Sequence, residues 1–288
     1  MDVRFIPISL LNGVATGMVL FILTSGLSVT MGLMGIINLS HGVLFMIGGY
    51  FAWTIAVQQG LNYGLALIVG GLAAGAIGLG IERGFLRKLY RQPNQQVLLT
   101  IGFLYIIANL SLMGWGNLTR VPFTPDITSG SIPMFDLTYP VYRIAIIGIG
   151  VAFLIGLWWA LEKTKFGALV RAGMDDQETT MGLGINMGRV MSLTFFIGAA
   201  LAGLAGVIGA QLLGVHPDMA WDILLLALIV LVVGGIGTIR GAFVGALTIG
   251  IIDAFGRALF PDFARFLMYT VMIIIVLVRP EGILPRRE

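Results

Sequence analysis

Hydrophobic residues fill this chain in long runs that are separated by short polar stretches. A helix needs about 20 residues to cross the roughly 30 Å of hydrocarbon in a bilayer. The pattern therefore predicts an all-α, polytopic membrane protein with about eight or nine transmembrane helices in one domain over 1–288. Two of the later runs are short, so we expect some helices to be tilted, broken or short. The candidate spans are 8–30, 36–57, 62–81, 96–116, 141–161, 190–213, 223–239, 242–260 and 265–279.

The composition supports this class and excludes several functions. The chain is 58% hydrophobic and 11% charged, whereas soluble domains are about 45–50% apolar and about 25% charged. It has no cysteine and only two histidines, His41 and His216. This excludes disulfides and makes a metal site or a catalytic cluster improbable, so we expect no enzyme activity in this chain. The net charge of +3 does not indicate nucleic-acid binding, because basic loops of membrane proteins serve topology.

The basic residues indicate an orientation. Cytoplasmic loops carry an excess of lysine and arginine, and the main basic segments fall on one side if nine runs span the membrane. This predicts an external N-terminus, a cytoplasmic C-terminus, an external loop at 116–140 and a cytoplasmic loop at 162–189. Of the 17 basic residues, twelve are expected inside, namely Arg83, Arg87, Lys88, Arg91, Lys163, Lys165, Arg171, Arg189, Arg240, Arg279, Arg286 and Arg287, and five outside, namely Arg4, Arg120, Arg143, Arg257 and Arg265.

The cytoplasmic loop contains the stretch "RAGMDDQETTMGLGIN" over 171–186. We expect a short helix here, capped by Asp175 or Asp176 and ended by Gly182 and Gly184. One interpretation is a solvated connector between two spans. The other is a docking element for a soluble partner, because apolar side chains stand among the charges.

The stretch "INLSHG" places Asn38, Ser40, His41 and Gly42 together inside an apolar region. On a continuous helix these polar side chains would point in different directions, and some would face lipid. Two interpretations remain open. The helix breaks near Gly35 or Gly42 and exposes polar groups to a substrate pathway, or the segment is a short cytoplasmic turn that Asn38 caps.

Other polar and small residues within the runs have simpler explanations. Gly237, Gly241 and Gly245 follow small-xxx-small spacing, which predicts close helix packing. Asp253 is expected to pair with Arg257 four residues later. Asn109 is a candidate pathway residue, although an interhelical hydrogen bond is the more common role for such an asparagine.

Four motifs occur in order, and together they resemble the branched-chain amino-acid permease family, specifically the LivH-type subunit. They are "GIINLSHGVLFMIGGYFA", "KFGALVRAGMDDQETTMGLGIN", "VVGGIGTIRGAFVGA" and "RPEGILP". The resemblance implies a permease in the bacterial inner membrane that imports branched-chain or other hydrophobic amino acids. It also implies a heterodimer with a second permease, two ATP-binding subunits and a periplasmic substrate-binding protein.

The resemblance further implies that the loop couples the permease to the ATPase. The residues expected to do this are Arg171, Ala172, Asp175, Asp176, Glu178, Met181 and Gly182. This sequence departs from the family at one point, because the acidic-alanine-alanine core of the coupling motif reads Glu178-Thr179-Thr180 here.

The chain contains no ATP-binding motif of its own. None of the three lysines, Lys88, Lys163 and Lys165, follows a phosphate-binding glycine loop. We therefore expect no cofactor in this chain and ATP on partner subunits. Related importers of urea, amides or small carboxylates are an alternative. An ion-coupled secondary transporter is a further one, for which Asp253 is the only embedded acid that the sequence suggests.

Overall fold

The computed structural model describes residues 5–90, 92–120, 123–134 and 137–284. Within these residues the regular secondary structure is helical apart from one short hairpin. The helices are α1 (Phe5–Met34), α2 (His41–Ala52), α3 (Tyr63–Gly84), α4 (Pro93–Trp115), α5 (Val141–Lys163), α6 (Lys165–Asp175), α7 (Gln177–Gly182), α8 (Met187–Leu213), α9 (Met219–Gly234), α10 (Ile239–Leu259) and α11 (Ala264–Val278). A π-helical turn over Trp53–Gln58 extends α2, and 3-10 turns lie at Leu86–Leu89, Asp126–Thr128 and Pro261–Phe263.

The polytopic helical fold is confirmed. Seven helices in the described part of the chain are long and apolar enough to span a membrane, and α9 is a shorter apolar helix. Together with α2 they account for the nine predicted segments. The second segment is corrected, because 36–40 is not helical and α2 begins only at His41. The seventh is also shifted, because α9 ends at Gly234 and Gly235 adopts a φ of 102°.

The predicted loop at 116–140 contains the hairpin. Strands β1 (Ser131–Met134) and β2 (Leu137–Pro140) pair antiparallel, with Ser131 opposite Pro140. Earlier in the loop, Arg120 exchanges two backbone hydrogen bonds with Val215, between α8 and α9. The Arg120 guanidinium also lies 4.2 Å from the centre of a Trp53 ring, so the loop contacts the start of the α2 extension.

Small residues allow the central helices to touch through their backbones. A Cβ added to Gly48 in α2 would lie 2.0 Å from the carbonyl oxygen of Gly203 in α8. A Cβ added to Gly206 in α8 would lie 1.9 Å from the carbonyl oxygen of Phe45 in α2. Such contacts hold α1, α2, α3, α8 and α10 together, because lipid gives no hydrophobic driving force for helix association. In contrast, α4, α5 and α11 leave most of their apolar surface outside the chain's own core.

The predicted glycine ladder is corrected at one position. Gly237 precedes α10 and lies in a turn with a φ of 82°, so it does not share a helix face with the other two. Gly241 and Gly245 lie in α10 against α9. A Cβ at Gly245 would lie 2.4 Å from the carbonyl oxygen of Val230.

The basic residues separate to opposite ends of the helix bundle. One end, which we call the basic end, contains the end of α1, the helices α6 and α7, and the start of α10. Gly32 of α1 packs there against Gly237 and Met174. The described basic residues at this end are Arg83, Arg87, Lys88, Lys163, Lys165, Arg171, Arg189, Arg240 and Arg279, and those at the opposite end are Arg120, Arg143, Arg257 and Arg265. Arg4, Arg91, Arg286 and Arg287 lie outside the described residues.

Candidate functional site

The polar stretch at 35–42 is a break between two helices. Helix α1 ends at Met34, and Gly35 adopts a left-handed φ of 63° while its N–H donates to the Met31 carbonyl oxygen at 2.9 Å. Glycine tolerates this conformation without strain, which is why it commonly ends helices. The next residues have no regular structure until α2 begins at His41. Ile36 is fully buried beside Ile81 and Phe195, whereas Gly35 and Ile37 on either side are exposed, so the protein packs around only part of the break.

After the break, the chain runs back alongside α1 toward the middle of that helix. The Nε2 atom of His41 lies 3.0 Å from the carbonyl oxygen of Leu23. Leu23 precedes the end of α1 by eleven residues, which corresponds to about 16 Å along a helix axis. Helix α2 therefore starts partway along α1 and not at its end. This geometry shows a helix break beside α1, as the first interpretation expects. The polar side chains of the break are buried and not exposed to a pathway, however, and Asn38 bonds the Ser40 backbone at the start of the next helix, as the second interpretation expects.

Asn38 forms the local structure that starts α2. Its Oδ1 atom accepts hydrogen bonds from the Ser40 backbone N–H at 3.1 Å and from the Ser40 hydroxyl at 2.5 Å. The His41 N–H donates to the Asn38 carbonyl oxygen at 3.2 Å. These bonds make an Asx turn before the helix. Asn38, Ser40 and His41 are all buried, so their polar groups bond within the protein.

Gly42 brings the start of α2 against the start of α9. A Cβ at Gly42 would lie 2.1 Å from the carbonyl oxygen of Ala220 and 2.9 Å from the Leu224 Cβ. No larger residue fits there without moving a helix. Two helix starts thus meet at one place beside α1.

Asn109 lies elsewhere. It stands on the exposed face of α4, and its amide donates to the Tyr105 carbonyl oxygen of the same helix at 2.9 Å. The interhelical bond that the sequence led us to expect is replaced by this bond along α4. The structure does not bring Asn109 to the buried residues of the break.

The short helix predicted within 171–186 is confirmed as α7, with its cap at Asp176 and its end at Gly182, and a second helix that the sequence did not predict precedes it. Helix α6 ends at Asp175, and the shorter α7 begins at Gln177. Asp176 lies between them in an extended conformation, and its carboxylate accepts the Thr179 backbone N–H at 3.0 Å. Hydrogen bonds from the Thr179 hydroxyl and backbone lower the pKa of Asp176. Asp176 therefore caps α7, whereas Asp175 belongs to the end of α6.

The α6–α7 pair presents a mixed surface at the basic end. Asp175, Asp176, Glu178, Met181 and Gly182 are exposed, whereas Arg171 and Ala172 are half-buried. Leu183 directly follows α7 with 76% of its surface exposed. The surface combines acidic groups with uncovered apolar side chains.

Arg171 fixes this pair to the membrane helices. Its guanidinium donates to the Leu161 carbonyl oxygen and lies 3.5 Å from Glu162 at the end of α5. On the other side, Gly173 packs against Met187 and Leu33. Movement of α6 would therefore be transmitted to α1, α5 and α8.

A buried acid that the sequence analysis missed lies close to this end. Glu82 in α3 is fully buried, and its two oxygens accept hydroxyl hydrogen bonds from Tyr90 and Ser192. Burial and the bond to Glu82 raise the pKa of Tyr90, so Tyr90 remains a neutral donor. The only sequence signal was an acid at the end of an apolar run, which resembles an ordinary surface residue.

The expected pair of Asp253 and Arg257 is confirmed. The Arg257 Nε atom donates to Asp253 Oδ1 at 2.8 Å, and Arg257 is largely exposed. This partner neutralises Asp253. Within the described residues, no group of three or more histidines, cysteines or acids is arranged to hold a metal.

These features define a helical multi-pass membrane protein with a discontinuous helix at its centre and a surface helix pair at its basic end. Comparison with known proteins supplies the family. Residues 9–276 match the family described as "Branched-chain amino acid transport system / permease component", and the chain belongs to it. The resemblance seen in the four motifs is therefore confirmed.

Curated relatives match over nearly the whole chain. The permease protein BraD of the high-affinity branched-chain amino acid transport system of Pseudomonas aeruginosa is 31% identical, covering 97% of this chain and 95% of that protein. LivH of Escherichia coli K12 is also 31% identical, covering 96% of this chain and 94% of LivH. LivM of the same organism is 26% identical over 93% of this chain and 68% of LivM. No solved structure matches the chain.

Proposed function

We propose that this chain is a permease subunit of an ATP-driven importer that passes branched-chain or other hydrophobic amino acids across the bacterial inner membrane. The observation that carries the proposal is the whole-length similarity to BraD and LivH, which are named as permeases of branched-chain amino-acid systems. Family membership supports a transport subunit and not an enzyme. The basic end faces the cytoplasm, following the distribution of positive charge. This leaves the N-terminus outside and the C-terminus inside.

The permease works as one half of a pair. LivH and LivM of Escherichia coli K12 are both named as permeases of one transport system, and this chain resembles both. A heterodimer with a second permease would cover part of the apolar surface that α4, α5 and α11 leave open. Two ATP-binding subunits and a substrate-binding protein complete the importer, and ATP is bound on the partners.

The substrate pathway passes the break before α2. The start of a helix carries a partial positive charge, which attracts the carboxylate of an amino acid. The position of this helix start beside α1 is fixed by four residues, Asn38, Ser40, His41 and Gly42. Asn109, on the exposed face of α4, joins the pathway where the second permease packs against that helix.

The ATPase docks on the α6–α7 surface. The acidic groups and Met181 are exposed there, and Arg171 ties the surface to α5. The docking residues are Arg171, Ala172, Asp175, Asp176, Glu178, Met181 and Gly182. A soluble partner would bury the exposed apolar side chains of this surface and form ion pairs with its charged side chains.

Reconstitution of the transporter tests the main proposal. The chain, its partner permease, the ATPase and the binding protein are placed together in liposomes, and uptake of labelled leucine is measured with and without ATP. Uptake should require ATP and every subunit. Uptake by this chain alone under a proton or sodium gradient would contradict the proposal. Uptake of urea, amides or small carboxylates in place of leucine would assign the related importer class.

Gly182→Arg tests the docking surface. No atom of the chain lies within 4 Å of a Cβ at Gly182, so the arginine does not disturb the fold. It should reduce ATPase binding and substrate-stimulated ATP hydrolysis, and Gly182→Ala is the matched control. Equal ATPase binding by both variants would exclude α7 as the docking element.

One observation favours an ion-coupled transporter as a second candidate. Glu82 is a buried acid of the kind that binds a proton or a cation in such proteins. Both of its oxygens are already bonded to hydroxyls, however, which fits a structural role better. A Glu82→Gln variant that abolishes gradient-driven uptake by the isolated chain would support the second candidate.

A further inference from the structure

A groove at the basic end opens between two membrane helices. It has a volume of about 940 Å³ and lies between α5 and α10, with α6 closing one end. The exposed helix α5 forms one wall, and most of its surface is not covered by the rest of the chain. The groove is separate from the break before α2 and adjoins the α6–α7 surface only through Arg171 and its neighbours.

The wall along α5 is apolar over about two turns. Leu154, Ile155, Trp158 and Leu161 line it on one face of the helix. From Leu154 to Leu161 the wall extends about 10 Å into the region that spans the membrane. Phe243 and Val244 of α10 form the opposite wall. Such a lining fits an acyl chain and offers no polar partner along this length.

The end of the groove near α6 is charged. Arg171 and Arg240 line it, and the Lys163 ammonium lies 5.7 Å from the centre of the Trp158 ring beside it. The one acid that lines it, Glu162, pairs with Arg171. Arg240 is exposed and forms no ion pair with the described residues. Three cations and one acid leave this end positive.

We propose that this groove binds one anionic phospholipid, with its headgroup at Arg240 and Arg171 and an acyl chain along Leu154–Leu161. The charged end of the groove matches a lipid headgroup, and its apolar wall matches an acyl chain. The charged end also lies at the end of the spanning helices, where the headgroups of a bilayer lie. Basic pockets at the cytoplasmic ends of membrane helices recognise anionic headgroups in this way. The proposal rests on membrane insertion and not on import, so it stands independently of the proposed function.

Lipid binding to the purified full-length chain tests this site. Native mass spectrometry compares phosphatidylglycerol with phosphatidylcholine at matched concentrations. The wild type should retain one phosphatidylglycerol in preference to phosphatidylcholine. Arg240→Gln should weaken this binding about fivefold, the effect of one basic residue near an anionic surface. Arg265→Gln is the matched control, because Arg265 is an exposed arginine at the opposite end, and it should change nothing.

A second pair of variants tests the acyl-chain wall without changing charge. Ile155→Trp fills the groove from its exposed edge and should abolish the bound lipid. Gly156→Trp lies on the opposite face of the same helix, is exposed, and meets no atom within 4 Å of an added Cβ, so it should leave binding intact.

Three outcomes would overturn the proposal. The first is equal retention of both lipids, and the second is equal binding by the two arginine variants. The third comes from a photo-crosslinker at position 155 in the assembled transporter: if it labels a partner permease and not a phospholipid, the groove is a subunit contact.

Discussion

The Ser192 hydroxyl donates a 2.6 Å hydrogen bond to Glu82 Oε2 and so joins α8 to α3 at the basic end of the bundle. Tyr90, in the connection between α3 and α4, donates to the other oxygen at 2.5 Å. A single buried carboxylate therefore links three elements near the α6–α7 surface. Buried acids persist when their oxygens are bonded in this way.

Ser192→Ala should destabilise the protein. It leaves one oxygen of the buried carboxylate without its donor, which costs about 1–3 kcal/mol. The apparent melting temperature in detergent should fall by several degrees. Thr194→Val is the matched control, because the Thr194 hydroxyl bonds only to the Val190 carbonyl oxygen of its own helix. Equal melting temperatures for the two variants would show that Glu82 does not join α3 to α8 in a stabilising way.

Stability should also depend on alkaline pH through Tyr90. Burial, followed by the bond to Glu82, raises the pKa of Tyr90 in the folded protein. The resulting stabilisation is complete below the ordinary tyrosine pKa of about 10 and is lost as the pH rises above it toward the folded value. The melting temperature of the wild type should therefore fall more steeply above pH ~10 than that of Tyr90→Phe. Tyr105→Phe, at an exposed tyrosine, should keep the wild-type slope, and parallel curves for all three proteins would contradict this account.

Gly206→Ala should disrupt the contact between α8 and α2. The added Cβ would lie 1.9 Å from the Phe45 carbonyl oxygen, and backbone cannot move aside as a flexible side chain can. Overpacking of this kind costs about 1–3 kcal/mol. Gly102→Ala in α4 meets no atom within 4 Å and should be neutral or stabilising. The yield and melting temperature of the two variants measure the difference. An unchanged Gly206→Ala protein would mean that the two helices do not touch there.

The long hydrophobic runs of the sequence predicted the positions of most helices. The polar motifs predicted less of the structure around the break before α2 and the α6–α7 surface. The apolar runs located α1, α3, α4, α5, α8, α10 and α11 because lipid requires each spanning segment to bond its own backbone. The same rule could not distinguish a helix from a buried break at 36–40. That break is tolerated because its polar side chains are buried and bonded within the protein. A single sequence does not show which neighbouring segments bury them.

The remaining differences have the same origin. The helix at 177–182 was predicted with both of its ends, but Asp175 and Asp176 were equal candidates for its cap in the sequence, and only the bond from Thr179 to Asp176 selects between them. Gly237 continues the spacing of Gly241 and Gly245, yet it serves a turn that needs a positive φ. Glu82 was missed because its partners, Tyr90 and Ser192, lie 8 and 110 residues away along the chain. Contacts between distant segments determine these sites.

Substitutions of Asn38 separate a structural role from a substrate contact. Asn38 Oδ1 accepts two hydrogen bonds from Ser40, and an aspartate can accept both while losing the amide donor. The positive end of α2 also favours an anion at this position. If Asn38 acts by shaping the helix start, Asn38→Ala should lower the melting temperature by several degrees, because it loses both bonds, whereas Asn38→Asp should not. An aspartate would repel the substrate carboxylate proposed to bind at this helix start, so ATP-dependent uptake by the reconstituted transporter should fall in both variants. An unchanged melting temperature of Asn38→Ala together with lost uptake would show that the amide contacts substrate, and the structural account of this residue would be wrong.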